Sequence, residues 1–272
     1  MTNSAADSCW FSPQRPQSAA QLPALLLAVP FAGGNEHVYR PWLPLLPPWL
    51  EVQTVQLPGR GRRFHQRNDL SIEQMAAAIV ADLPALAANR PWVLYGHSMG
   101  ARIAFEMLHL LPAALQPTAV VLSGARAPFL PPTTRDVANK DRAAFIQLLR
   151  DMNGTPAEIL QNDELLDLFL PMLQRDFAHV EQYRSPADRL PLAGPPCWIF
   201  GGDADPDISA ADLAAWQQCF STPVAVTVLS GDHFFIFAHG ATLLAPMLQS
   251  LALRPSLTTA APVPQRLTAD LL

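Results

Sequence analysis

The stretch Trp92-Val93-Leu94-Tyr95-Gly96-His97-Ser98-Met99-Gly100 decides the fold of this 272-residue chain, together with residues 101–111 that follow it. Its first four residues have strand composition, and Ile103, Met107 and Leu110 then recur at helical spacing. A serine therefore stands at the apex of a sharp strand-to-helix turn. Glycines on both sides of the serine would let the strand and the helix approach closely. This context predicts a nucleophile elbow with Ser98 at its tip.

Short apolar runs alternate with helical patterns outward from this elbow. The predicted strands are residues 24–29, 52–56, 92–95, 119–123, 197–200 and 224–229. The predicted helices are residues 71–88, 101–111, 212–220 and 239–251. Such alternation predicts an α/β fold, with a mostly parallel sheet covered by helices on both faces. In such a sheet the active site lies at the carboxyl ends of the strands.

Residues 128–190 interrupt the alternation because they contain no convincing strand. Residues 142–150, 163–168 and 171–183 have helical patterns, and Pro171 fits the first position of a helix. A block of helices between two strands predicts a helical lid over the site. The predicted core of the domain then comprises residues 21–127 and 191–252. We expect an N-terminal extension at residues 1–20. We expect a disordered tail at residues 253–272, which are rich in Pro, Thr and Ala.

Composition excludes several functional classes. The net charge of −5 argues against nucleic acid as the main partner. The N-terminus lacks a signal-peptide pattern, and the apolar residues 22–30 are too few to cross a bilayer. Cys9, Cys197 and Cys219 are widely spaced and form neither a disulfide framework nor a metal-binding motif. We therefore expect a cytoplasmic monomer without a metal, a cofactor or a membrane partner.

A serine hydroxyl becomes a good nucleophile only when a base takes its proton. Two loops after predicted strands can supply the base and a carboxylate, Gly201-Gly202-Asp203-Ala204-Asp205-Pro206 and Ser230-Gly231-Asp232-His233. We predict that His233 is the base and that Asp205 orients it, with Asp203 as the alternative. Asp232 is adjacent to His233 in sequence, so it is expected to stabilise its own turn.

An oxyanion hole needs two backbone N–H groups aimed at the developing negative charge. Met99, the residue after the serine, is the expected first donor. The second is expected from the loop after the first central strand, Pro30-Phe31-Ala32-Gly33-Gly34. We assign it to Ala32, with Phe31 as the alternative.

Several blocks of the chain resemble the type II thioesterases of nonribosomal peptide and polyketide synthesis, a family of α/β-hydrolase fold. The blocks are PFAGG (30–34), VQLPGRGRR (55–63), GHSMGARIAFE (96–106), NGTP (153–156), LPMLQRDF (170–177), GGDADP (201–206) and GDHFF (231–235). The resemblance implies hydrolysis of stalled or aberrant acyl groups from the phosphopantetheine arm of carrier proteins. It implies Ser98 as nucleophile, His233 as base, Asp205 as orienting acid, Ala32 and Met99 as oxyanion donors, and a mobile lid at residues 128–190. A small-molecule esterase or an acyl-CoA thioesterase on the same triad is the alternative.

Arg60, Arg62 and Arg63, with Arg67 nearby, form the densest basic loop of the chain. The loop follows the predicted strand 52–56, so it should emerge at the same sheet edge as Ser98. Two interpretations remain open at this stage. The arginines form a docking surface for acidic carrier proteins, or they are held internally and shape the site.

Overall fold

The computed structural model describes residues 10–15, 21–87, 89–131 and 135–253. Most of the expected N-terminal extension and nearly all of the expected tail lie outside these ranges, as do residues 132–134 of the expected lid. The strands are β1 (Phe11–Pro13), β2 (Ala24–Val29), β3 (Leu50–Val55), β4 (Trp92–His97), β5 (Ala119–Ser123), β6 (Cys197–Gly202) and β7 (Val224–Leu229).

Within the described ranges these strands form a seven-stranded sheet in the order β1-β3-β2-β4-β5-β6-β7. Strands β2 to β7 run parallel, which confirms the predicted fold class. Strand β4 lies at the centre, and the carboxyl ends of β4, β6 and β7 open on the same edge. Loops after these three strands carry Ser98, Asp205 and His233.

Strand β1 was not expected, since residues 1–20 read as an extension outside the core. It pairs antiparallel with β3, and Phe11 lies opposite Val55. The Arg15 guanidinium reinforces this attachment by donating to the Leu43, Leu46 and Pro47 carbonyl oxygens at 2.7–2.8 Å. Residues 10–15 therefore belong to the sheet domain.

The helices are α1 (Ile72–Ala87), α2 (Met99–Leu110), α3 (Arg142–Asp151), α4 (Ala157–Leu160), α5 (Asp163–Gln182), α6 (Ala210–Ala214) and α7 (Gly240–Ala252). Short 3-10 turns occupy Arg40–Leu45, Gly61–Arg63, Ala113–Leu115, Val137–Asn139, Ala187–Arg189, Ala215–Cys219 and Phe235–Phe237. The predicted helix 212–220 is thus the short α6 continued by a 3-10 turn. Helices α1 and α2 cover one face of the sheet with one apolar cluster, and α7 covers the other face with a second.

Helix α5 corrects the expectation of two helices separated near Pro171. It runs without a break from Asp163 to Gln182, and Pro171 lies inside it rather than at a first position. The proline removes the hydrogen bond that an N–H at this position would donate to the Asp167 carbonyl. The helix continues because Leu170, Met172 and Leu173 bury one apolar face on both sides of the proline.

The helical insertion between β5 and β6 has an apolar core of its own. Its buried residues are Val137, Phe145, Ile146, Leu148, Leu149, Leu166, Leu170, Met172 and Leu173. These side chains hold α3 and α5 together and are separate from the two clusters of the sheet. The insertion therefore has an apolar core of its own in addition to its contacts with the core of the sheet domain. In the described part of the chain, no helix has the length and apolar character needed to cross a bilayer.

Candidate active site

Ser98 sits at the turn between β4 and α2 with φ 54° and ψ −115°. A residue other than glycine rarely adopts a positive φ, and such strain costs about 1–3 kcal/mol. A Cβ on Gly96 would lie 2.3 Å from the Gly100 carbonyl oxygen, and one on Gly100 would lie 2.2 Å from the Val29 carbonyl oxygen. Only glycine fits at both positions. The Ser98 side chain does not cap α2, and it lines the large cavity above the sheet.

His233 and Asp205 form a short, buried pair at the neighbouring strand ends. The His233 Nδ1 atom lies 2.6 Å from Asp205 Oδ2, and the other carboxylate oxygen accepts a hydrogen bond from the Asp207 N–H at 3.0 Å. The Asp205 side chain is fully buried, and His233 is 9% exposed. Since Asp205 engages Nδ1, the imidazole can exchange a proton at Nε2. His233 and Ser98 line the same cavity.

The two competing carboxylates have other partners. Asp203 Oδ1 accepts a hydrogen bond from the Gly231 N–H at 2.9 Å, which ties the β6 loop to the loop that carries His233. Asp232 Oδ1 accepts from the Phe234 N–H at 2.8 Å and stabilises its own turn, as expected. Of the three carboxylates, the structure brings Asp205 to the His233 ring.

His97, the variable residue of the elbow, packs beneath the His233 ring with 5.0 Å between ring centroids. It is buried, and its Nδ1 atom lies 2.9 Å from Ser123 Oγ. Burial, and after it the nearby His233, lowers the pKa of His97 well below its usual range. A neutral His97 adds no positive charge next to the imidazolium that His233 would form.

The loop expected to hold the second oxyanion donor is bound to helix α5. The Gly33 N–H donates to Asp176 Oδ2 at 2.8 Å, and the Asn68 side-chain amide donates to Asp176 Oδ1 at 2.8 Å. Arg60 contacts both carboxylate oxygens at 2.7 Å. Asp176 is fully buried, and it fixes the backbone next to Ala32, which lines the cavity.

The first turn of α2 supplies the other expected donor. The Met99 N–H is one of the first four of the helix, which have no partner within it. Ala32 and Met99 thus stand on the two backbone segments that flank Ser98.

The basic loop divides into buried and exposed arginines. Arg60 is 2% exposed and paired with Asp176. Arg63 is also buried, lies over the Trp10 ring with its guanidinium carbon 3.9 Å from the centroid, and donates to the Gln56 carbonyl at 2.9 Å. Only Arg62 and Arg67 are exposed. For Arg60 and Arg63 the structure therefore favours the internal, shaping interpretation.

The cavity above Ser98 has a volume of about 860 Å³. Its floor is the elbow and the loop 31–34, and its roof is the helical insertion. The roof is mostly apolar and is formed by Leu149, Met152, Ile159, Leu168, Phe169, Met172, Leu173, Phe177 and Val180. Among the described residues, no group of three or more His, Cys, Asp or Glu side chains is placed to hold a metal ion. The site can bind an apolar chain beside an activated serine.

The family described as Thioesterase domain matches residues 24–250. The chain belongs to this family. Relatives of this thioesterase include PikA5 of Streptomyces venezuelae, named a thioesterase, which is 34% identical over 81% of this chain and 77% of its own. LgrE of Brevibacillus parabrevis, named a linear gramicidin dehydrogenase, is 38% identical over 85% of this chain and 88% of its own.

Among solved structures, the thioesterase resembles YbtT, a type II thioesterase from the yersiniabactin pathway. The two are 32% identical and superpose with a TM-score of 0.77, covering 89% of this chain and 98% of YbtT. The fold is that of the α/β-hydrolases, and the chain is a hydrolase of thioesters.

Sequence reasoning assigned no role to Asp176, although it lies in the block LPMLQRDF. One pattern in the sequence could have indicated a role for Asp176. Its acidic side chain lies on the same helical face as the apolar residues Leu173 and Met172, which predicts a buried carboxylate with partners. Its partners Arg60, Asn68 and Gly33 lie more than 100 positions away. Only the tertiary structure brings them together.

Proposed function

We propose that this thioesterase is an editing enzyme of nonribosomal peptide or polyketide synthesis. It releases stalled or aberrant acyl groups from the phosphopantetheine arm of carrier proteins. The observation that carries the proposal is the strained Ser98 in one cavity with the His233–Asp205 pair. The similarity to YbtT, which comes from a mixed nonribosomal peptide and polyketide pathway, supports this substrate class.

In the proposed first half-reaction, Ser98 Oγ attacks the thioester carbonyl carbon while His233 Nε2 accepts the hydroxyl proton. The Met99 and Ala32 N–H groups hold the carbonyl oxygen as it becomes negative, a contribution of about 3–4 kcal/mol for each donor. The C–S bond then breaks, and the leaving thiolate takes the proton from His233. The arm is released with a free thiol, and the acyl group is esterified to Ser98.

In the second half-reaction, His233 takes a proton from water as the water oxygen attacks the acyl ester. The same N–H groups hold the second oxyanion. When the ester bond breaks, His233 returns the proton to Ser98 Oγ, and the carboxylic acid leaves. Asp205 remains ionised throughout and stabilises the imidazolium of both steps.

Residues 128–190 act as a mobile lid in this proposal. Helix α5 is bound to the sheet domain through Asp176 and through His179, whose Nε2 atom lies 2.9 Å from the Asn68 carbonyl oxygen. Tyr183, the residue after the helix, donates its hydroxyl hydrogen to Glu106 at 2.7 Å. Helices α3 and α4 pack on α5 through the separate apolar core of the insertion. We infer that the lid opens at α3 and α4 while α5 stays in place.

Hydrogen–deuterium exchange tests this opening. Amides of α3 and α4 should exchange faster than those of β4, because mobile lids belong to the less stable parts of a fold. The second half of α5 should show intermediate protection. Protection of α3 and α4 equal to that of β4 would mean that the roof of the cavity is a fixed wall.

The substrate class is tested by presenting one acyl group, such as hexanoyl, on four leaving groups. These are a holo-carrier protein, coenzyme A, N-acetylcysteamine and ethanol. We expect the highest kcat/KM on the carrier protein, because the other thioesters lack its surface. A higher value on coenzyme A would make the protein an acyl-CoA thioesterase. A rate on the ethyl ester equal to that on the thioesters would make it an esterase.

A further inference from the structure

Arg102 is a buried charged residue that the proposed mechanism does not use. It lies on α2 one helical turn after Ser98, and it is 6% exposed. It lines the same cavity as Ser98 and His233. The Tyr183 ring lies on one side of it, with the guanidinium carbon 5.7 Å from the ring centroid.

The other arginines along this cavity have carboxylate partners. Arg60 is paired with Asp176, Arg126 with Asp212 at 2.8 Å, and Arg135 with Asp207. The carboxylate nearest to Arg102 on its own helix, that of Glu106, accepts hydrogen bonds from Tyr183 at 2.7 Å and Arg189 at 2.9 Å. Within the described part of the chain, no hydrogen bond or ion pair engages the Arg102 guanidinium.

Burial, together with the nearby Arg126, lowers the pKa of Arg102 to about 10, so the group remains charged at neutral pH. The contact with the Tyr183 ring engages the guanidinium of Arg102 but leaves its hydrogen-bond donors without an acceptor among the described residues. The guanidinium also presents five donors in a planar fork that matches the two oxygens of a carboxylate. A negatively charged ligand in the cavity would supply the counter-ion and the hydrogen-bond acceptors that the Arg102 guanidinium lacks.

We propose that Arg102 is a specificity-determining residue that binds a carboxylate on the acyl group of the substrate. The preferred substrates are thioesters of dicarboxylic acids, in which one carboxyl carbon is esterified to sulfur and the other is free. The phosphate of the arm is a different anion, but it is separated from the thioester by the whole pantetheine chain. With the thioester at Ser98, the length of the arm would place the phosphate toward the mouth of the cavity, whereas Arg102 lies one turn from Ser98.

This proposal rests on the proposed hydrolysis at Ser98, and the test separates the two. Each dicarboxylic substrate has an uncharged isostere in which the carboxylate is replaced by an isopropyl end. Malonyl is matched by 3-methylbutanoyl, succinyl by 4-methylpentanoyl and glutaryl by 5-methylhexanoyl. All six are presented as N-acetylcysteamine thioesters, so that no carrier surface contributes. Hexanoyl on the holo-carrier protein is the reference for the proposed function, and absence of hydrolysis of this reference would contradict that function, whereas the ratios within the pairs test Arg102.

For wild-type protein we expect at least one dicarboxylic thioester to exceed its isostere in kcat/KM. Arg102→Met keeps an unbranched side chain against Tyr183 and removes the charge. It should lower this ratio by about 30- to 100-fold, the loss typical of removing charge-assisted hydrogen bonds from a buried site. The isostere should be hydrolysed as fast as before or faster. Arg102→Lys should retain part of the preference because it keeps the charge without the fork.

Arg62→Met is the control for loss of a positive charge, since Arg62 is exposed and does not line the cavity. In this variant, the ratio of kcat/KM for each dicarboxylic thioester to kcat/KM for its isostere should stay near the wild-type ratio. Equal losses on both members of each pair in Arg102→Met would show a structural role and overturn the proposal. If that variant does not fold, thioether analogues of each pair can compete on the wild-type protein. Tighter binding of the carboxylate analogue would support the proposal, and equal or weaker binding would overturn it.

Discussion

Replacing Ser98 with alanine should abolish thioester hydrolysis and leave the fold intact. Without the hydroxyl there is no nucleophile for His233 to activate. Loss of a triad member typically leaves only about 10³- to 10⁴-fold acceleration over the reaction in water. The strained backbone at φ 54° is the same for serine and alanine, because both carry a Cβ, so Ser98→Ala should unfold at the wild-type temperature. The rate of hydrolysis of hexanoyl-N-acetylcysteamine measures the loss of activity, and a thermal unfolding curve measures the stability of the fold.

A fluorophosphonate probe identifies the nucleophile directly. Wild-type protein should gain one covalent adduct by intact mass, and Ser98→Ala should gain none. Ser71→Ala, at a half-buried serine just before α1, is the matched control and should be labelled like the wild type. Near-normal turnover by Ser98→Ala, or an adduct on it, would contradict the assignment.

The sequence was sufficient for the parts of the fold that follow from local pattern. The apolar runs of β2, β5 and β7 match the observed strands, and the elbow was identifiable because two glycines bracket a serine between a strand and a helix. Strand β1 could not be found in this way. Its three residues are too few to show alternation, and Pro13 is tolerated there because β1 is the edge of the sheet.

Helix α5 differs from its prediction for the opposite reason, because tertiary packing outweighed a strong local sequence signal. Pro171 favoured a helix start, yet buried neighbours on both sides carry the helix through it. The energy that decides this comes from Leu170 and Leu173, which pack in the apolar core of the insertion. That packing involves α3, which lies about 20 residues earlier in the chain.

The burial and the partners of the charged residues were the hardest features of the site to predict from the sequence. Arg60, Arg62 and Arg63 are alike in sequence, but two are buried and one is exposed. The difference depends on Asp176 and Trp10, which lie far from the loop in sequence. The environment of Arg102 could not be predicted from the sequence either. Glu106, one turn further along the same helix, is bound by Tyr183 and Arg189 instead, and both lie far from the elbow in sequence.

Asp205→Asn should reduce kcat by about 10⁴-fold. The Asp205 carboxylate accepts the proton of His233 Nδ1 across 2.6 Å, which leaves Nε2 free to take the serine proton. An asparagine amide can donate to Nδ1 instead, and this stabilises the tautomer that carries its proton on Nε2. Such an imidazole cannot act as the base. Asp205 does not line the cavity, so the KM for a small acyl thioester should change little.

Asp203→Asn is the matched control for this prediction, since it makes the same change two residues earlier in the same loop. Asp203 accepts one hydrogen bond from the Gly231 N–H, and the oxygen of an asparagine can accept it equally well. This variant should therefore keep most of the wild-type kcat and unfold at a similar temperature. Steady-state kinetics of both variants on the same thioester decide between the two carboxylates. A large loss for Asp203→Asn with little loss for Asp205→Asn would reverse the assignment and make the observed His233–Asp205 pair a structural one.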